Sequence, residues 1–190
     1  NNLYLNPTSG SILVDDVLNG YPVVRFDGTG DTLRGPLNIN SSAFTVFIVA
    51  NPSVITSGPR ETFFELEGSE SVLLQVDEFT DGILLTKDGD VFSVHGQVNV
   101  GEFAIYSITH SIDTLEVYKN GDIVGSDTLT SGLSSFDILR IGDDGTGGDG
   151  FVGDISELLI FDRDLSGDER IQVEEYLNAR YDLYNSFSIE

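Results

Sequence analysis

The 190-residue chain contains no cysteine, no methionine and no tryptophan. Without cysteine there is no disulfide framework, no thiol chemistry and no thiolate-held zinc. Methionine is missing even at the first position, Asn1, so a processed form or a piece of a longer protein is expected. Bases are scarce: 9 against 32 acids, a net charge of −23, with lysine only at Lys87 and Lys119. Phosphate backbones and anionic lipid surfaces are repelled by such a chain, so neither nucleic acid nor membrane is expected as a partner. No apolar run has the length needed to cross a bilayer, so membrane insertion is not expected either.

What remains is a globular composition. Hydrophobic residues make up 39% of the chain, enough for a real core. Neither an internal repeat nor a low-complexity linker interrupts it, so residues 1–190 read as one domain. The apolar runs are short, rich in Val, Ile, Phe, Tyr and Thr, and bounded by Gly, Asn, Asp or Pro. "YPVVRF", "AFTVFIVAN", "ETFFELEG", "SVLLQVDE", "GILLTK", "DVFSVHG", "EFAIYSITHS", "TLEVYKNGDIVGS", "FDILRIG" and "DISELLIFDR" read as strands of an all-β sandwich or barrel. Asn120-Gly121, Asp88-Gly89 and Asp81-Gly82 carry hairpin-turn chemistry, because Asn, Asp and Gly tolerate positive φ. Phe44 to Ala50 is apolar on both faces and should be central. In "TLEVYKN", Leu115 and Val117 should face the core, with Glu116 and Tyr118 on a wetter face. One helix is expected, over about 167–182. Ser166 and Glu169 have capping-box spacing, and Val173, Leu177 and Tyr181 form its docking stripe. The tail "NSFSIE" is either a last strand or a frayed end.

"VVRFDGTGDTL", "FTVFIVANP", "LEVYKNGDIVGS" and "LRIGDDGTGGDGFVGDISELLIFDRDLSGDERIQVEEYLNARYDL" occur in this order in concanavalin A-like jelly-roll domains. The chain most resembles the laminin G-like, pentraxin-related subgroup over almost its whole length. The resemblance implies an all-β, two-sheet antiparallel jelly-roll sandwich with one C-terminal helix. It also implies binding at a rim or on the concave face, often with calcium held by rim loops. It does not select a function, since the fold hosts lectins, adhesins, protein-binding modules and glycanases.

Several residues are candidates for chemistry. The Gly/Asp stretch Arg140–Ile155 offers Asp143, Asp144, Asp149 and Asp154 as calcium ligands, with free backbone carbonyls beside them. The alternative is a long hairpin connection in which Gly145, Gly147 and Gly148 supply unusual backbone angles and the acids face water. Asp27 and Asp31 in "FDGTGDTL" form a second candidate calcium site, unless Arg25 and Arg34 neutralise them or the segment is only a turn. "FELEGSE" loosely resembles the E-x-D-x-x-E signature of laminarinase-type glucanases. Glu65 and Glu70 would then be the carboxylate pair of a retaining hydrolase. Glu67 in place of Asp, a required bulge at Gly68 and the missing tryptophan all count against that reading. His95 and His110, both at strand ends, carry no triad or metal spacing and read as surface or hydrogen-bonded residues. The motifs of lyases with this fold are absent. Tyr118, Tyr21 and Tyr106 are the candidate platforms for sugar stacking, with Phe79 and Phe92 behind them.

The resulting expectation is a non-catalytic carbohydrate-binding or adhesion module, secreted or displayed on a cell or virion surface and assisted by calcium. Its partner would be a polysaccharide, another glycan or an extracellular protein. One alternative is a structural protein decorating a virion or surface layer through protein contacts alone. The other is the glycoside hydrolase.

Overall fold

The computed structural model describes residues 10–54, 60–77, 81–87, 90–111, 113–128, 135–146, 148 and 150–184. Alternation of apolar and polar residues builds two sheets, because each strand buries one face. Edge to edge, the first sheet runs β1 (Ile12–Leu18), β2 (Tyr21–Asp27), β13 (Val152–Phe161), β4 (Phe44–Pro52), β9 (Ala104–His110), β10 (Thr114–Lys119) and β11 (Asp122–Thr128). The second runs β3 (Leu33–Ile39), β12 (Phe136–Ile141), β5 (Glu61–Gly68), β6 (Ser71–Asp77), β7 (Gly82–Lys87) and β8 (Asp90–Val94). Every strand pairing is antiparallel. Because sequence neighbours such as β12 and β13 lie in different sheets, the chain crosses repeatedly between layers, as the expected jelly-roll sandwich requires.

The main core fills the space between the sheets. Phe44, Val46, Ile48 and Ala50 of β4 meet Phe64, Leu66, Leu74, Ile83, Leu139 and Ile141 from the opposite layer. Each fully buried aliphatic side chain is worth roughly 1.5–3 kcal/mol. The other face of β4 is apolar too: Phe47 and Val49 join Ile105, Leu165, Leu177 and Tyr181 in a second cluster. That cluster lies beneath the single helix α1 (Gly167–Tyr181), whose Leu177 and Tyr181 are buried and whose Val173 packs beside them. Ser166 and Glu169 complete the capping box, and Asp182 ends the helix in the left-handed region at φ 55°. The doubly apolar "FTVFIVA" therefore lies in a central strand covered on both sides, as its composition requires.

Two strands were not among the sequence runs. In β1, Asp16 has φ 59° and the register slips between Val14 and Leu18, so an acidic bulge interrupts the pattern. In β3, Gly35-Pro36 reads as a breaker. Proline is tolerated there because β3 is an edge strand. The Asn120-Gly121 turn has positive φ at both residues, 51° and 91°. Asp81 is likewise positive at 49° and leads into β7. Asp88-Gly89 and the tail from 185 lie outside the described residues.

The stretch from Gly142 to Phe151 links β12 in one sheet to β13 in the other. It is a crossing between layers at the rim, not a hairpin. It is held by the Phe151 N–H donating to the Gly142 carbonyl at 2.8 Å.

Candidate functional site

The helix distinguishes the two outer sheet faces. It covers the outer face of the seven-stranded sheet, and among the described elements none is layered on the outer face of the six-stranded sheet. Period-2 alternation sends Arg34 and Pro36 of β3, Ile138 and Arg140 of β12, Glu65 and Glu67 of β5, and Leu73 and Gln75 of β6 to that outer face. Register makes Arg34, Arg140, Glu65, Leu73 and Thr86 one continuous row across five strands. Toward β6 and β7 the surface is closed: Gln75 and Leu84 are buried, and Gln75 bridges Thr62 at 3.0 Å and Thr86 at 3.3 Å. Toward β3 and β12 it opens into a groove of about 500 Å³ lined by Arg34, Pro36, Asp137, Ile138 and Arg140, among others.

Arg140 organises the middle of the row. Its Nε lies 3.3 Å from Glu65 Oε2, and its Nη2 lies 2.7 Å from Glu67 Oε2. Glu65 is buried, and burial pushes its carboxyl above the usual carboxylate range. The Ser71 hydroxyl, donating at 2.6 Å, and the Arg140 charge oppose that push, while Glu67 and Asp144 add to it. The rim loop closes this end of the face. A side chain on Gly145 would come within 3.0 Å of the Arg140 guanidinium carbon, so the loop is packed directly against it.

The rim itself joins the two segments that the sequence offered separately. Gly142 has φ 88°. A Cβ there would lie 2.3 Å from the Phe26 ring and 2.9 Å from the Asp31 carbonyl oxygen. The loops carrying Asp31 and Asp143 are therefore in contact. Asp31 is fully buried; its Oδ2 accepts from the Asp27 N–H at 2.8 Å, and its Oδ1 has no hydrogen-bond partner. Burial holds its carboxyl above the usual range. Asp143 is buried as well, with Oδ1 accepting from the Gly145 N–H and Oδ2 left without a partner.

The other candidate ligands stand apart. Asp154 is held by Arg25 through two hydrogen bonds of 2.7 and 2.9 Å on the outer face of the seven-stranded sheet. Arg25 thus neutralises Asp154 rather than Asp27 or Asp31. Asp144 accepts from the Thr146 N–H and hydroxyl, and Asp27 from the Thr29 N–H. Asp149 lies outside the described residues. Among the described residues no three carboxylate or imidazole side chains gather as a metal cage. Asp143, Asp144 and Asp154, the described acids of the loop, are therefore not one cluster.

The stacking platforms need correction. Tyr106 is fully buried against Phe63 and cannot meet a sugar. On the half-buried outer face of β10 the Arg170 guanidinium of α1 sits 3.6 Å from the Tyr118 ring centroid. Burial, with a hydrogen bond to Glu116, raises the Tyr118 hydroxyl to about 12. Tyr21 is packed edge-on against Tyr181 and beneath Arg180 at 4.2 Å. Each ring is taken up by docking the helix. Phe92 packs on the core, and Phe79 lies outside the described residues. His110 stacks on Phe44, and its Nδ1 lies 2.8 Å from the Ser42 carbonyl.

The glucanase comparison fails on topology. Glu67 pairs with Ser71, so the chain reverses at Gly68–Ser71, and the bulge in β5 falls between Thr62 and Phe64. Glu70 is in the turn, off the strand that carries Glu65. Sequence reasoning singled out Glu65 but missed Arg140 and Arg34. The alternation in "FDILRIG" held the signal for Arg140: Leu139 and Ile141 are core, so Arg140 must face out.

The family model of the concanavalin A-like lectin/glucanases superfamily matches residues 27–169, and the chain belongs to that superfamily. Solved structures show the same fold. Domain 4 of an extracellular arabinanase from Geobacillus stearothermophilus, solved with arabinotriose, aligns with a TM-score of 0.71 at 16% identity, covering 87% of this chain and 82% of that one. The SAP-like pentraxin of Limulus polyphemus aligns at 0.56 and 18% identity, over 75% and 76%. The binding domain of Paraclostridial Mosquitocidal Protein 1 aligns at 0.71 and 15% identity over 94% of this chain, which spans 48% of that domain. No curated protein matches the chain.

Proposed function

We propose that the chain is a non-catalytic glycan-binding or adhesion module of a secreted or surface-displayed protein, and that it binds on the outer face of the six-stranded sheet. One observation carries this reading. α1 covers one sheet, while the other presents the row Arg34–Arg140–Glu65 with Glu67 at its flank and an open groove at its edge. Fixed guanidinium and carboxylate groups beside an apolar floor suit sugar hydroxyls and the C–H face of a sugar ring. The arabinotriose complex of the arabinanase domain supports the same ligand class.

Calcium has a place in this reading at the rim. Asp31 Oδ1 and Asp143 Oδ2 are buried acceptors without partners, carried on touching loops, and oxygen is the ligand type a hard cation takes. Asp154 and Asp144 are already engaged and do not fit. Bound there, calcium would fix the loop that packs on Arg140 and so shape one end of the binding face.

A glycan array, followed by calorimetry on any hit, tests the reading. Glu67→Ala and Arg140→Met should weaken binding at least about tenfold while Tyr21→Ala, on the helix side, leaves it unchanged. Melting curves confirm that the variants fold. Silence across the array, with ordered self-assembly of the protein, would overturn the reading in favour of the structural role.

A further inference from the structure

Arg34 is the anomaly of the charged face. The chain has 32 acids and 9 bases, and among the described residues five of its seven arginines pair with a carboxylate: Arg25 with Asp154, Arg140 with Glu65 and Glu67, Arg163 with Glu169, Arg170 with Glu174, and Arg180 with Glu157. Arg34 has no such partner among the described residues and is exposed on the edge strand β3. Its register neighbour across the β3–β12 ladder is Arg140. Like charges directly opposite on one sheet face are unfavourable. Arg140 is paired from its far side by Glu65 and Glu67 of β5, which leaves Arg34 the guanidinium of the row without a carboxylate partner among the described residues.

The same groove holds a second unsatisfied group. The Thr32 hydroxyl is buried, without a hydrogen-bond partner, two residues before Arg34. Pro36 and Ile138 are opposite one another on the same face and supply an apolar floor. An unpaired guanidinium, an unpaired hydroxyl and an apolar strip thus line one groove of about 500 Å³, together with the Asp137 carboxylate and the paired Arg140.

We propose that this groove recognises an acidic sugar: a uronate unit whose carboxylate pairs with Arg34, whose ring lies on Pro36 and Ile138, and whose oxygens satisfy Thr32. The proposal rests on the glycan-binding reading and adds the ligand's charge to it. Planar, forked guanidinium donors match a carboxylate bidentately, which neutral sugars cannot exploit. The net charge of −23 opposes long polyanions, which would lie along acidic surface. Short segments and chain ends are therefore the favoured form. At about 0.15 M salt the Debye length is about 8 Å, so remote acids are screened while a contact at Arg34 is not.

Calorimetric titration at that ionic strength tests it, with trimers of galacturonate, guluronate and mannuronate against neutral trimers of galactose and mannose. At least one acidic trimer should bind about tenfold or more tighter than its neutral counterpart. Arg34→Gln should erase that preference, with Arg34→Lys retaining part of it, at unchanged melting temperature. If neutral trimers bind as well as acidic ones, the uronate assignment is wrong and the glycan face stands. If acidic trimers bind but Arg34→Gln keeps the preference, the groove is the wrong place. If no trimer binds and the array is silent, the glycan-binding reading itself falls and takes this proposal with it.

Discussion

The Arg170 guanidinium lies 3.6 Å from the centre of the Tyr118 ring and, from the same position, pairs with Glu174. Glu174 also accepts the Ser107 hydroxyl of β9 at 2.7 Å, so helix and sheet are joined through one buried, hydrogen-bonded ion pair. Removing one partner would leave the other charge buried and alone. Arg170→Met should therefore destabilise the domain by about 3–5 kcal/mol in urea titrations, and adding Glu174→Gln should recover much of the loss. Equal stability of the two variants would show that the pair does not dock the helix.

Much of the architecture was written in local patterns. "ETFFELEG" and "GILLTK" coincide with β5 and β7 to the residue, and Ser166 with Glu169 marked the start of α1. The two missed strands, β1 and β3, are sheet edges, where a bulge or a Gly-Pro pair is tolerated because one side needs no ladder partner. The candidate site was less legible. Alternation tells which residues leave the core, but not which sheet the helix will cover. Glu116 and Tyr118 do lie on the less buried face of β10, but Tyr118 is stacked by Arg170 of α1. Arg140 and Glu65 lie 75 positions apart, by subtraction of their numbers, and only strand order brings them together. The loops of Asp31 and Asp143 touch for the same reason: they reach the rim at one place, where Gly142 approaches Phe26 and the Asp31 backbone.

Tyr106 offers a test of its corrected role. Its ring packs on Phe63 in the core, and its buried hydroxyl has no hydrogen-bond partner. Burial holds that hydroxyl far above the normal tyrosine range. A buried polar group without a partner costs more than it contributes. Tyr106→Phe should thus leave stability unchanged or raise it by about 1 kcal/mol, with no effect on any glycan affinity. A fall in stability would place an ordered water on the hydroxyl. A fall in affinity would restore Tyr106 as a binding residue.

Asp31 is where calcium and pH give opposite signs. Burial, reinforced by the neighbouring Asp27 charge, raises its carboxyl above 3.8, against the Asp27 and Ser11 backbone donors that lower it. The folded state then holds the proton more tightly than the unfolded one. The contribution of Asp31 is complete below the unfolded pKa and is lost as pH rises through the folded one. In chelator at pH 7, Asp31→Asn should therefore raise the melting temperature, and the gain should vanish once the pH falls below the unfolded value. Calcium reverses the balance by supplying the positive charge that burial withholds. At about 100 times its dissociation constant it should stabilise the wild type by about 2.7 kcal/mol, roughly 5–10 °C for a domain of this size. Asp31→Asn should be indifferent to it. A wild type that melts alike in calcium and chelator would remove calcium from the rim. An Asp31→Asn variant that still gains several degrees would move the ion to Asp143 alone.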